Sequence, residues 1–247
     1  MGLVSNGPEN DLENMGFEYQ SDGNKDGVHF SRSTSEESFH EACASIVTPY
    51  LNLTRKVYIG LSGGSNKLLY KYLSDQFPNN FSNVELLEID ERYVPGDHEH
   101  SNRKLIHEYL IENVDEISGF SYFQTELPTT EEVVAEYSQK LNGISLDIAC
   151  LGIGPDGHTA SLFPGVDALH EEEQLAVHTQ TEQFDVLDRF SVTFPVIMKT
   201  KTLLVYLRGE GKKEIWEQLQ NPQKSIEEFP AIKLLEHSDI HIMWGDF

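Results

Sequence analysis

Positive charge is scarce in this chain. Its 247 residues carry 18 Lys and Arg against 41 Asp and Glu, a formal charge of −23. Proteins that grip a nucleic-acid backbone need a continuous cationic surface, so this balance excludes a general nucleic-acid partner. Cysteine is nearly absent. Cys43 and Cys150 each sit among apolar neighbours, which predicts burial in a helix or strand rather than a disulfide framework and fits a reducing compartment. Long apolar runs are missing too. No stretch approaches the roughly 18 residues of a membrane span, and the N-terminus lacks the apolar segment of a signal peptide. The expectation is a soluble, cytoplasmic protein with no membrane partner.

What is present is an alternation of short apolar runs with helical periodicity. Residues 1–34 are rich in Asn, Gly, Ser and acids and read as a loose polar arm, leaving 35–247 as a single domain. From Ser35, the positions Phe39, Ala42, Cys43, Ile46, Val47 and Tyr50 fall on one helical face. Lys56–Leu61 reads as a buried strand, followed by the turn Ser62–Ser65 and a helix with Leu68, Leu69, Tyr72, Leu73 and Phe77 inward. Val84–Ile89 is the next strand, followed by the loop DERYVPGDHEHSN and a helix from Arg103 to about Asn113. Thr130–Leu141 is helical and leads into the strand Leu146–Leu151. Further strands are expected at Phe190–Phe194, Lys201–Leu207 and Asp239–Met243, with a helix over Glu210–Leu219. This order predicts an α/β, doubly wound, largely parallel sheet with helices on both faces, a modified Rossmann-like architecture.

Three loops follow strands of that sheet, and right-handed crossovers bring such loops to one edge. GPDGHTASLFPG, Gly154–Gly165, places His158 in a glycine-rich loop after LDIACL. Asp156 is close enough in sequence to orient its ring, and Thr159–Ser161 could open a helix whose N-terminus favours an oxyanion. The SGGS turn, Ser62, Gly63, Gly64 and Ser65, could present backbone N–H groups to an anion or could be a tight turn and no more. In the third loop Arg92 offers a rigid donor fork, and Asp90 or Glu91 could orient a sugar hydroxyl or a partner side chain. Arg189 and Lys212 complete the cations placed to hold an anion against an acidic field. His98, Glu99 and His100 lack the spacing of a zinc signature, so no metal is expected. No G-x-S-x-G elbow exists, and histidine activating water is the simpler chemistry.

Together, SGGS at 62–65, DERYVPGDHEHSN at 90–102, GPDGHTASLFPG at 154–165, DRFSVTFPV at 188–196 and GEGK at 209–212 resemble the 6-phosphogluconolactonases. The resemblance runs from about Ser35 to the C-terminus. It implies hydrolysis of 6-phospho-D-glucono-1,5-lactone in the oxidative pentose phosphate pathway without metal or organic cofactor, with His158 as the base. The SGGS loop, Asp90, Arg92, Asn102, Arg189 and Lys212 would hold substrate. The related glucosamine-6-phosphate deaminases share the GxDGH pattern, but there Asp-Glu is followed by tyrosine and the histidine loop continues with a glutamate. Here Arg92 and SLFPG stand instead.

Departures are visible. SGGSTP becomes Ser65-Asn66-Lys67, and TEQFDVLD before Arg189 is acidic where relatives carry lysine and proline. The sequence also stops at MWGDF, where relatives often continue, so a fusion or association with glucose-6-phosphate dehydrogenase is a further expectation. Two other functions compete. One is a glucosamine-6-phosphate deaminase/isomerase with Asp90 abstracting a carbon-bound proton. The other is a non-catalytic sugar-phosphate sensor, whose mark would be loss of His158 or the cations, and neither is lost.

Overall fold

The computed structural model describes residues 27–247, and most of the expected polar arm lies outside them. Ten strands and six α-helices alternate along the described chain, joined by loops and 3-10 turns. Seven strands form one parallel sheet: β1 (Val28–Ser33), β2 (Val57–Leu61), β3 (Val84–Glu88), β5 (Gly119–Ser121), β6 (Ile148–Leu151), β9 (Thr202–Arg208) and β10 (Ile240–Gly245). Their spatial order is β1-β10-β9-β6-β2-β3-β5. The helices are α1 (Glu36–Leu51), α2 (Lys67–Gln76), α3 (Asn102–Tyr109), α4 (Thr130–Leu141), α5 (Phe194–Met198) and α6 (Lys213–Gln220).

Helix starts follow from local chemistry. The Ser35 hydroxyl accepts from the Ser38 N–H at 3.3 Å, with Glu36 and Glu37 in the first turn of α1. The Thr129 hydroxyl caps α4 from the Glu132 N–H at 3.2 Å, again ahead of two glutamates. Each cap satisfies an orphan donor, and the acids complement the positive end of the helix dipole.

Side chains along the strands alternate between two buried clusters, as a sheet covered on both faces requires. In β9, Leu203, Val205 and Leu207 pack into one cluster and Leu204 and Tyr206 into the other. Helices α1, α2 and α3 cover the second face through Phe39, Cys43, Leu69, Leu73 and Ile106. Helices α4 and α6 cover the first through Val133, Tyr137, Ile215 and Leu219. Cys43 and Cys150 are buried free thiols, both pushed up by burial, Cys150 to about 12. No helix among the described residues is long and apolar enough to cross a membrane.

Three expectations need correction. The domain does not begin at 35: Val28–Ser33 is an edge strand in register with β10, pairing Val28 with Ile240 through Ser33 with Gly245. Only two of its six residues are buried, so its apolar content was too thin to separate it from the polar tail. Secondly, a small antiparallel sheet stands apart, ordered β4-β8-β7, from β4 (Asp90–Arg92), β7 (Ala176–Gln180) and β8 (Asp188–Val192). The loop expected after β3 therefore opens with a strand. On α2, finally, the fully buried aromatic is Tyr70, and Leu68 and Tyr72 are half-buried at the margin.

Candidate active site

The order of the parallel sheet reverses at its centre. From β2 the chain moves outward to β3 and β5, then returns through β6 on the other side of β2. In open α/β sheets a crevice forms at such a switch point, outside the carboxyl ends of the two strands. The SGGS turn follows β2, and the histidine loop follows β6.

Direct contacts tie the three loops together. Gly63 lies against Asn102 so closely that a Cβ there would sit 1.8 Å from Asn102 Oδ1. Gly64 adopts φ 68°, a left-handed conformation open to glycine at little cost. The Ser161 hydroxyl of the histidine loop donates to Asp90 Oδ2 at 3.0 Å, and Lys212, from the turn after β9, donates its Nζ to the Ile153 carbonyl at 2.5 Å. Ser62, Gly63, Asp90, Asn102, His158, Arg189 and Lys212 therefore belong to one connected region. Ser65 is exposed on its rim.

His158 is held from several sides. Its Nδ1 meets Asp156 Oδ1 at 2.5 Å, and the same carboxylate oxygen accepts the His158 backbone N–H at 3.2 Å. With Nδ1 so engaged, Nε2 has no protein partner among the described residues. Burial alone would push the Asp156 carboxyl up, but the hydrogen bond and charge of His158 hold it below the ordinary value. Phe163 packs against the imidazole with centroids 4.8 Å apart, and Phe184 meets it edge-on at 5.3 Å. Gly154 permits this arrangement because a Cβ there would lie 2.0 Å from His158 Cε1.

The segment Thr159–Ser161 does not open a helix. Thr159 bridges Ile153 and Leu162 in isolated antiparallel pairs, and Ala160 takes φ 52°. A helical start was the wrong reading because the loop folds back on itself, closed by the Gly154 N–H to the His158 carbonyl at 2.9 Å. No helix dipole is available there to an oxyanion.

Two arginines face each other across the small sheet, where Arg92 pairs with Arg189 in antiparallel register. Arg189 is buried, donates from Nε to the Val186 carbonyl at 2.8 Å and lies over the Phe184 ring at 5.8 Å. Burial first, and then the neighbouring Arg92 charge, hold its guanidinium down at about 10. Arg92 donates to the His100 carbonyl at 2.6 Å, while its Nε is buried without a partner. Two cations held this close, with no carboxylate in ion-pair contact with either among the described residues, form a ready site for an anion. Lys212, also held down by burial, supplies a third positive charge beside the histidine loop.

The Asp-Glu pair divides its work. Glu91 is buried and accepts the Arg92, Asn102 and Arg103 N–H groups and the Ser101 hydroxyl, all within 2.9 Å. It thereby caps α3 and is not available to a sugar. Burial pushes its carboxyl up against those four donors. Beneath it, Glu88 is fully buried, accepts the Phe123 N–H at 3.0 Å and is pushed well above the ordinary value, first by burial and then by the Glu91 charge. Asn102 donates from Nδ2 to the Asp90 carbonyl at 2.8 Å, leaving Oδ1 buried and unpaired.

Phe184 escaped the reading of the sequence, as did Glu88. The single signal for Phe184 was an aromatic residue inside the otherwise acidic TEQFDVLD, and that residue now links His158 to Arg189. Glu88 lay hidden in the apolar strand VELLEI.

The family described as glucosamine-6-phosphate isomerases/6-phosphogluconolactonase matches residues 32–244. The chain belongs to that family. Its relatives include a Dictyostelium discoideum protein named as a probable 6-phosphogluconolactonase, 29% identical over 85% of this chain and 95% of the relative. The Haemophilus influenzae 6-phosphogluconolactonase is 32% identical over 75% of this chain and 82% of the relative. A 6-phosphogluconolactonase structure from Thermotoga maritima superposes with a TM-score of 0.76, covering 90% of this chain and all of that one. At 24% identity it speaks for the fold. The family's name covers both isomerases and lactonases, so the choice between them rests on the site.

Proposed function

We propose that this chain is a 6-phosphogluconolactonase acting in the pentose phosphate pathway of a reducing, cytoplasmic compartment, and that His158 activates the attacking water. The observation that carries the reading is the His158–Asp156 pair, with Nδ1 engaged and Nε2 unpartnered, set beside a cluster of cations. The deaminase alternative is disfavoured by Arg92, which stands where those enzymes carry tyrosine, and by the tie between Asp90 and Ser161.

In this mechanism Nε2 of neutral His158 takes a proton from water as its oxygen attacks the lactone carbonyl. The Asp156 carboxylate fixes the ring and stabilises the imidazolium. Negative charge gathers on the former carbonyl oxygen, and in this reading Lys212 offsets it. As the tetrahedral intermediate collapses, the bond from the carbonyl carbon to the ring oxygen breaks, and the imidazolium returns its proton to that oxygen. One water is consumed and the new carboxylic acid releases one proton. Arg92 and Arg189, with the SGGS turn, hold the phosphate, which converts binding energy into orientation at the carbonyl.

The test is hydrolysis of freshly generated 6-phosphogluconolactone, read as 6-phosphogluconate by a coupled dehydrogenase, beside ammonia release from glucosamine 6-phosphate. Lactone opening above the spontaneous rate with no ammonia is expected. Lactone decay equal to background would overturn the assignment, and binding without acceleration would identify a sensor.

A further inference from the structure

At the opposite end of the sheet from the His158 site, two histidines and a carboxylate converge. His29 is the second residue of β1 and His241 the second of β10, and the register places them side by side. Their rings stack with centroids 4.7 Å apart at 17°. Asp239 immediately precedes β10, and one donor atom from each of the three residues lies within 4.8 Å of the others. We propose that His29, Asp239 and His241 form a binding site for a transition-metal dication of the zinc class, joining the first described strand to the last.

The donor chemistry suits such an ion. Two imidazoles and one carboxylate leave a further position for water, the pattern of an open three-ligand zinc site. Zinc–ligand bonds of about 2.0–2.1 Å in a tetrahedron set neighbouring donors about 3.4 Å apart. His241 Nε2 and Asp239 Oδ1 already stand at 3.3 Å, and tilting the His29 ring out of its stack on His241 would complete the set.

The carboxylate is also supported from behind. The Thr202 hydroxyl donates to Asp239 Oδ2, and the Tyr50 hydroxyl donates in turn to Thr202 Oγ1 at 2.5 Å. Outer hydrogen bonds of this kind orient a ligating group and keep the carboxylate in its anionic, ligating form. The backbone at Asp239 is fixed as well, its N–H bonded to His237 Nδ1 at 3.0 Å and its carbonyl to the Leu203 N–H at 2.9 Å. With Asp239 41% and His241 18% exposed, an ion can enter from solvent. Acidic clusters are common on so negative a chain, but a pair of histidines in strand register with a hydrogen-bonded carboxylate is a more specific donor set.

The full chain, stripped with chelator, would be titrated with Zn2+ by calorimetry and with Co2+ by absorption. One equivalent of Zn2+ per chain is expected, with His29→Gln and His241→Gln each weakening binding at least tenfold, as loss of a ligand should. His98→Gln and His158→Gln should bind as the parent does. Because the site is remote from the lactonase centre, His241→Gln should retain parental kcat. Imidazole 15N shifts of the unmutated protein provide a readout that needs no folded variant, and Zn2+ should move two histidines, His29 and His241. Absence of saturable binding, parental affinity in both variants, or shifts confined to His98, His100 or His158 would each overturn the site.

Discussion

Gly154→Ala isolates the placement of the catalytic imidazole from its chemistry. The added methyl would stand 2.0 Å from Cε1, 2.2 Å from Nδ1 and 2.8 Å from Nε2 of His158. Gly154 is not among the residues with positive φ, so the backbone accepts alanine and the obstacle is the ring. Reaching ordinary contact requires the ring to retreat by about 1.5 Å, beyond the reach of the 2.5 Å bond to Asp156. A displacement of about 1 Å at a catalytic group can cost ~100-fold in rate, or about 2.7 kcal/mol of transition-state stabilisation. Folding should suffer little, because His158 is a partly exposed side chain at the end of a loop. Expected, then, are a kcat for lactone hydrolysis lowered ~100-fold, a nearly unchanged KM and an unchanged Tm. Gly211→Ala, where a Cβ would meet nothing within 4 Å, is the matched control and should be indistinguishable from the parent. A Gly154→Ala enzyme turning over at the parental rate would refute the claim that the bonded position of His158 is the working one.

Two other perturbations follow from charges in the structure. Arg189→Met removes one of two facing guanidiniums that have no carboxylate ion pair among the described residues, so Tm should hold or rise while KM increases ~10–100-fold, the worth of a charge-assisted hydrogen bond. A parental KM in steady-state assays would remove Arg189 from the phosphate site. Asp147 is buried, and although burial raises its carboxyl, bonds from Arg55, Lys201 and the Tyr58 N–H bring it down to about 2. A depressed acid stabilises the fold above its unfolded value and loses that contribution as pH falls toward the folded one. Because Arg55 and Lys201 are half-exposed, the bonded carboxylate contributes at most about 2 kcal/mol at neutral pH. Asp147→Asn should therefore unfold at lower temperature at pH 7, and the gap should narrow below about pH 4. A gap of constant size down to pH 3 would contradict this origin.

The core sheet was legible because buried parallel strands read as apolar runs: KVYIGL, VELLEI, LDIACL and KTLLVYL each fall on a strand. Helix α4 was legible from end to end because Thr129 and two glutamates announce its start and Val133, Tyr137 and Leu141 mark its inner face. Edge elements were harder. Strand β5 has three half-buried residues, β1 buries only two of its six, and β4 hides in a charged tripeptide whose partner lies almost 100 residues downstream in the register of Arg92 with Arg189. The loops of the site were marked by glycine and histidine, and their contacts explain those glycines: Gly63 makes room for Asn102, and Gly154 for the His158 ring. What no local pattern could supply was the division of labour between Asp90 and Glu91 and the bridge that Phe184 makes, since both depend on residues brought together by the fold.

The central claim is that His158 Nε2 is the base that opens the lactone, with Asp156 holding it. Its most direct measurement is the initial rate of 6-phosphogluconolactone hydrolysis by the parent, His158→Ala and Asp156→Asn proteins, corrected for spontaneous opening, alongside binding of 6-phosphogluconate. The account predicts that His158→Ala loses ~100-fold or more of kcat while product affinity stays within about threefold, with Asp156→Asn impaired in the same direction. A His158→Ala protein that hydrolyses the lactone at the parental rate would contradict it.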